Sequence, residues 1–317
     1  MLRLGTWNLE NLFHPDAGSG APTTSTAYDT KLDRLAATID ALGLDAVAVQ
    51  EVGSPGALDD LRNRLTGHWR ADTADPDGRG IRCGVLSRVP VLATAQVRDF
   101  PDLLLPVQVD DDGSTLGELG RPALRVRLEV PDPAGTVTEV DLVSAHLKSK
   151  LLTFPGGRFS PRDEDERARY GVYALHRRAA EAAGVRAAVT ALLGEADAVP
   201  VVVGGDLNDV PEAATTQILL GPPGSEIGTG GFDQPDQGDP QRLWNLAPLI
   251  PEEERYSRVY RGRRELIDHL LVSHALVTRV TAANSAGATP PSITDNPNAR
   301  VDDPVSDHRP VLVTLDV

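Results

Sequence analysis

Hydrophobic and polar positions separate strands from helices along most of the chain. Leu2-Arg3-Leu4-Gly5-Thr6-Trp7 predicts a strand, and the Pro-, Gly-, Ser- and Thr-rich stretch from Pro15 to Thr26 predicts a loop. From Tyr28 to Leu42 the apolar residues Leu32, Leu35, Ala36, Ile39 and Leu42 keep helical spacing, and Gly43 is a plausible stop. Asp45 to Glu51 is a short, mostly apolar run, as found in a sheet covered on both faces. The opening is therefore read as strand, helix, strand.

Pro55 to Leu65 predicts a second helix, after which the chain turns β-rich. Meander strands are expected over Ile81 to Arg88, Val91 to Phe100, Arg121 to Val130 and Thr136 to Ala145, with turn chemistry at Pro131 to Gly135. A long Arg- and Ala-rich helix, Glu166 to Leu193, precedes a buried strand at Val199 to Gly204. Glu265 to Val272 and Pro310 to Val317 supply later strands. No repeat or low-complexity tract divides the chain, and the Pro- and Gly-rich stretches 221–240 and 285–304 read as loops within one domain, residues 1–317. The expected fold class is α+β: a four-layer α/β/β/α sandwich of two mostly antiparallel sheets with helices outside.

Composition narrows the class without naming it. A chain of 317 residues that is 40% apolar and 24% charged is a folded, water-soluble protein. Its single cysteine, Cys83, forms no internal disulfide and no thiolate metal cluster. No signal-like apolar core follows Met1 and no run approaches the length of a bilayer span, so a cytoplasmic location without membrane contact is expected, and no obligate protein partner. The net charge of −15 opposes nonspecific coating of polyanions. Lysine occurs only at 31, 148 and 150, and the dominance of arginine points to a GC-rich, bacterial genome.

Several expected strands end in a polar side chain: Asn8, Glu51, His146, and Asp206 with Asn208. Asp268 and the pair Asp307-His308 complete a set of carboxylates, amides and imidazoles suited to phosphate ester hydrolysis. In-line attack builds negative charge on phosphoryl oxygens, which a metal, an amide donor and imidazolium groups would offset. Hard Mg²⁺ or Mn²⁺ takes oxygen ligands, so Asn8 and Glu51, with optional Asp307, suffice. Zinc fits less well because neither H-E-x-x-H nor C-x-x-C occurs.

T-W-N-L-E-N at 6–11, Q-E at 50–51, H-L-K-S at 146–149, G-G-D-L-N-D at 204–209, I-D-H-L-L-V-S at 267–273 and S-D-H-R-P-V at 306–311 together resemble the endonuclease/exonuclease/phosphatase superfamily, with its deoxyribonuclease I-like fold. Six motifs in family order span nearly the whole chain. The resemblance implies that Asn8 and Glu51 bind the metal, that Asp307 supports it, and that Asp206 and Asn208 orient the attacking water and a phosphoryl oxygen. It further implies that Asp268 pairs with His308 and that His146 acts on the phosphate or leaving group. It leaves either His308 or Asp206 as the base.

Departures from the pattern narrow the branch. Val52-Gly53 follows Glu51 where abasic-site endonucleases usually carry a Lys, and Glu265 to His269 lacks the inositol-polyphosphate 5-phosphatase signature. No aromatic cluster suggests a sphingomyelinase hairpin. The expected activity is a metal-dependent nuclease acting on DNA or RNA; a phosphatase or phosphodiesterase on a small or lipid phosphoester, and a catalytically silent binding member, are the alternatives. Lys148, Arg178, Arg258 and Arg261 are candidate substrate contacts. The last two belong to a basic run (Arg255, Arg258, Arg261, Arg263, Arg264), matched after His146 by Arg158, Arg162, Arg167 and Arg169. These arginines either form a rim that guides phosphates or pair with neighbours such as Asp163, Glu164, Glu252 and Glu254. His269, His274 and His176 are expected to be structural or surface residues, and Asp302-Asp303 a solvated acidic turn.

Overall fold

The computed structural model describes residues 1–131, 137–294, 296 and 299–317. The turn chemistry expected at Asp132 to Gly135 lies outside them. Two six-stranded mixed sheets stack face to face. The first is built from β1 (Leu2–Leu12), β2 (Ala46–Val52), β3 (Arg70–Thr73), β4 (Arg82–Ser87), β11 (Val280–Ser285) and β12 (Val311–Leu315), in the order β11-β12-β1-β2-β4-β3. The second holds β5 (Val91–Asp99), β6 (Glu118–Pro131), β7 (Val137–His146), β8 (Val201–Asp206), β9 (Leu243–Asn245) and β10 (Asp268–Ser273), in the order β9-β10-β8-β7-β6-β5.

Alternation along the strands builds four layers. Ala46 and Ala48 face inward with Leu4, Val126, Leu142, Val202 and Leu270, all buried between the sheets. The intervening Val47 and Val49 face outward under Leu32, Leu35 and Ile39 of α1 (Ser25–Leu42) and Leu58 and Leu61 of α2 (Pro55–Arg62). On the opposite side Val143, Val201 and Val203 lie under Val185 and Val189 of α3 (Glu164–Leu193). A one-residue slip in β2 or β8 would send each set to the wrong layer, so the pattern fixes the register.

The helices begin where capping chemistry allows. Thr24 Oγ1 accepts from Ala27 N, Ser54 Oγ from Ala57 N and Asp163 Oδ1 from Glu166 N. Gly43, at φ 60, provides the left-handed exit from α1. The capped starts explain why α1 begins ahead of the expected Tyr28 and α3 ahead of the expected Glu166.

Each sheet has one parallel pair at its centre, β1 with β2 and β7 with β8, joined by crossovers that contain α1 and α3. The flanking β12 and β10 run antiparallel to β1 and β8. The carboxyl ends of the parallel strands therefore lie at the same edge as the amino ends of β10 and β12. The six sequence motifs lie in the strands and loops that meet toward that edge, in keeping with the rule that open α/β sheets place ligands at the carboxyl ends of strands.

The expected strand Glu265 to Val272 is two strands. Arg263–Glu265 belongs to a small three-stranded sheet with Arg258–Tyr260 and Ser292–Ile293, and β10 starts only at Asp268. Ser257 Oγ accepts from both Ile267 N and Asp268 N at 3.1 Å, which replaces ladder bonds as the chain changes sheets.

Candidate active site

The two glycines of G-G-D-L-N-D let the strands meet beneath the site. A Cβ on Gly205 would stand 2.0 Å from the Ala145 carbonyl oxygen, and one on Gly204 would press on Thr6 of the facing sheet at 3.1 Å. A buried polar tie crosses the sheets alongside: Gln50 Nε2 donates to Thr6 Oγ1 and Ser144 Oγ, each at 3.2 Å, and Ser144 Oγ donates to the Val49 carbonyl at 3.1 Å. The strand ends above are thereby held together.

Asn8 lies in β1 where its register against β2 breaks, between two carboxylates. Its Nδ2 donates to Glu51 Oε1 at 3.2 Å and to Asp206 Oδ2 at 3.0 Å, while its Oδ1 accepts from Glu10 N at 2.9 Å. In this arrangement the Asn8 amide nitrogen faces both carboxylates and links them. Glu51 and Asn208 adopt left-handed backbone at φ 61 and φ 54, strain of the kind that collects at functional sites. Asp206 Oδ1 accepts from Asn208 N at 2.9 Å, and Asn208 Nδ2 donates to the Leu147 carbonyl at 3.0 Å.

Asp268 and His308 meet at 2.6 Å through Oδ2 and Nδ1, both buried. His308 Nε2 lies 4.0 Å from Asp206 Oδ2 and 3.8 Å from Asp307 Oδ1. Burial alone would lower the imidazole, but Asp268, Asp307 and Asp206 outweigh it and push His308 up to about 10. Burial and the Asp268 charge push Asp206 up to about 7, against the pull of His308 and Asn8. His146 Nε2 stands 3.6 Å from Asp206 Oδ2. Burial and Arg121 drive His146 well below the usual histidine range, so it is neutral. Its Nδ1, and Asp268 Oδ1, are buried without a hydrogen-bond partner among the described residues.

Asp206, Asp268 and His308 form a buried group with ligand atoms close together; Asp268 and His308 are bonded to each other, which leaves Asp206 as the member able to hold a metal ion. Oxygen donors dominate the surroundings, with Glu51 and Asp307 beside Asp206, and a burial-raised carboxyl is the kind of group a cation would stabilise in its charged form. The donor set fits a hard divalent ion. Asp307 also presents its N–H to Glu10 Oε2 at 2.8 Å, and Glu10 is paired with Arg300 at 2.8 Å.

The substrate candidates fare unevenly. Arg178 is a correction: it is buried, pairs with Asp209 at 3.2 Å and donates to the Lys148 carbonyl, so it braces the motif loops. Lys148 is largely buried, with Nζ donating to the Leu151 and Ser149 carbonyls at 2.8 and 2.9 Å. Arg258 pairs with Glu265 at 2.9 Å. Its guanidinium and that of Arg261 lie 5.4 and 5.5 Å from the Tyr260 ring centre, on a hairpin whose Arg258 bridges His308. Arg158 pairs with Glu166, Arg167 with Glu164 and Arg169 with Asp111, so much of the expected rim is committed to acids.

His269 is structural: its Nε2–H donates to the Asp209 carbonyl at 2.8 Å and its Nδ1 accepts from Asn245 Nδ2 at 3.1 Å. His274 packs against Trp244 and His176 is exposed on α3. Asp302 is held by Thr23 N and Oγ1, and Asp303 by Arg300.

Sequence reading missed the loop between β3 and β4. Asp77 Oδ1 accepts from Arg79 N and Ile81 N at 2.8 and 2.9 Å, while its Oδ2 holds Arg121, which donates to the His146 carbonyl. The exposed Arg79 side chain is carried on this turn, close enough to His146 to help lower it. The Asp-Gly and Arg-Gly steps in Asp77-Gly-Arg-Gly80 were the available signal.

Fold and site together define a hydrolase of phosphate esters on a deoxyribonuclease I-like scaffold. The chain belongs to the Endonuclease/Exonuclease/phosphatase family, whose profile matches residues 5–308. Among solved structures it is similar to a mannosyl-6-phosphatase from Bacteroides thetaiotaomicron (14% identity, 100% of each chain covered, TM-score 0.57). It is also similar to the human nocturnin catalytic domain with bound sulfate (13% identity, 99% and 94% covered, TM-score 0.59). A truncated Caenorhabditis elegans TDP2 is similar at 14% identity (100% and 97% covered, TM-score 0.55). These likenesses establish the fold alone. A search of curated proteins found no match. No helix among the described residues is long and apolar enough to cross a membrane.

Proposed function

We propose that the chain, acting as one unit over residues 1–317, is a Mg²⁺- or Mn²⁺-dependent phosphodiesterase whose substrate is nucleic acid. The observation that carries the reading is the geometry of the buried centre: His308 Nδ1 stands 2.6 Å from Asp268 Oδ2, its Nε2 lies 4.0 Å from Asp206 Oδ2, and Asn8 Nδ2 donates to that same Asp206 oxygen at 3.0 Å. Asp206 takes a proton from water as its oxygen attacks phosphorus and the ester P–O bond breaks. His308 presents its Nε2–H to a phosphoryl oxygen, and Asn208 holds the loop that aims Asp206. When bound through Glu51 and Asp206, with Asp307 alongside, a divalent cation would supply positive charge for the phosphoryl and leaving oxygens. Neutral His146 offers a hydrogen bond without adding repulsion to an already cationic neighbour.

Nucleic acid is favoured by Tyr260 flanked by Arg258 and Arg261 beside His308, an aromatic and basic surface suited to bases and phosphates. A small phosphoester is the second reading, favoured by the ion pairing of Arg158, Arg167, Arg169 and Arg258. Purified protein with Mg²⁺ or Mn²⁺, tested on single- and double-stranded DNA, RNA, sugar phosphates, phospholipid and a small phosphodiester, separates them. Cleavage of a polynucleotide at rates well above those for the small esters supports the nuclease; cleavage confined to small esters overturns it.

A further inference from the structure

Glu10 and Asn11 are consecutive residues in left-handed backbone, at φ 50 and φ 51. Such backbone is strained for residues other than glycine, so the turn needs an anchor. Its two N–H groups serve the site. Glu10 N donates to Asn8 Oδ1 and Asn11 N donates to Glu51 Oε2, both at 2.9 Å. Successive amides in a turn of this type make a concavity for anionic oxygen. Here they take the side chains of Asn8 and Glu51 and set their orientation from behind.

The anchor lies on α1. Lys31 is 3% exposed, and its Nζ donates to the Glu10 carbonyl, within the left-handed turn. A lysine is rarely buried to that degree without partners. Burial pushes its ammonium down, and the carboxylates of Glu10, Glu51 and Asp307, in that order, work against the loss of charge. Arg300, paired with Glu10 and close enough to oppose the Lys31 charge, is the other cation of this cluster. Lys31 thus stands behind the carboxylates of the site and touches none of the reacting atoms.

We propose that Lys31 is a positioning residue: its ammonium pins the Glu10 carbonyl, locks the Glu10–Asn11 turn, and through the Asn11 amide aims the Glu51 carboxylate at a divalent cation. The inference rests on the reading of Glu51 as a metal ligand. Supporting partners behind a ligand are worth about 10- to 100-fold in metal affinity, and that is the size of the expected effect.

The test is Mn²⁺ binding to metal-stripped protein, read by isothermal calorimetry and by loss of the free-ion electron paramagnetic resonance signal, so that no turnover is needed. Glu51→Gln comes first: if it binds Mn²⁺ as tightly as the parent, the ligand reading itself is wrong. If Glu51→Gln weakens binding, Lys31→Met decides the inference, since it keeps the apolar stem and removes the ammonium. A rise of about 10- to 100-fold in Kd for a variant with the parent's circular dichroism supports the proposal; an unchanged Kd overturns it. Should Lys31→Met fail to fold, Asn11→Gly and Asn11→Val are compared. Glycine retains the N–H and the handedness of the turn, whereas a β-branched side chain disfavours it. Tighter Mn²⁺ binding by the glycine variant, by about tenfold or more, supports the locked turn, and equal affinities overturn it.

Discussion

Removing His308 should cost stability as well as rate, and the two losses have a common origin. Asp268 is fully buried, its Oδ2 is satisfied by His308 Nδ1 at 2.6 Å, and its Oδ1 has no other partner among the described residues. His308→Ala therefore leaves a carboxylate with neither solvent nor counter-ion. Breaking a buried pair from one side costs about 3–5 kcal/mol. Asp268→Asn, which leaves His308 free to become neutral, should cost less, and the double variant should cost less than the sum of the single changes. The penalty in His308→Ala depends on pH with a definite sign. In the parent, His308 is raised to about 10, so its stabilisation is complete below about 6.5 and is lost as pH rises through about 10. The gap between parent and variant should accordingly be full near pH 6 and narrow by pH 10. Urea unfolding at both pH values measures it. Turnover should fall by about 10²–10⁴-fold in either single variant, and far less than multiplicatively in the double variant, because the residues act as a unit. Additive stability costs that do not change with pH, together with multiplicative rate losses, would refute the pairing argument.

Arg79→Gln should raise KM by about two- to fivefold with kcat little changed, the worth of an exposed charge contact, and steady-state kinetics on any cleaved substrate read it. An effect confined to kcat would place Arg79 outside substrate binding. Neutralising Arg258 and Arg261 together should raise KM for a polynucleotide and flatten its salt dependence, by about 0.7–0.9 in log–log slope for each phosphate that is no longer neutralised, while a small phosphodiester is turned over as before. Equal losses on both substrates would assign the pair a structural role.

The sheets were legible wherever a strand is covered on both faces. β2 and β8 announce themselves as Ala46-Val-Ala-Val and Val201-Val-Val because α1 and α3 cover their outer faces. Three edge strands carry no such signature. Arg70–Thr73 and Val280–Ser285 are polar or weakly apolar on at least one side, and Leu243–Asn245 is too short to read. The helix starts depended on caps at Thr24 and Asp163, whose polarity alone does not distinguish a cap from a loop. In the site, spacing brought out the residues whose side chains meet, because each sits at or near one common edge of the two sheets. What spacing could not give was direction. Asn8 turns its nitrogen toward the carboxylates, Arg178 turns inward to Asp209, and Arg158, Arg167, Arg169 and Arg258 of the rim find acids to pair with. Arg79 escaped notice because its place beside His146 depends on Asp77 reaching Arg121 across a long sequence gap.

The central claim is that water attacks a phosphodiester at the Asp206–Asp268–His308 centre with a divalent cation on the neighbouring oxygens. Its most direct test is turnover of a small phosphodiester by EDTA-stripped protein, before and after titration with Mg²⁺ or Mn²⁺, alongside Asp206→Asn carried through the same titration. The account predicts no turnover in EDTA, full recovery on adding metal to the parent, and a loss of about 10²–10⁴-fold in the variant that excess metal does not repair. Undiminished turnover in EDTA, or an Asp206→Asn protein restored by metal to the parent rate, would contradict it.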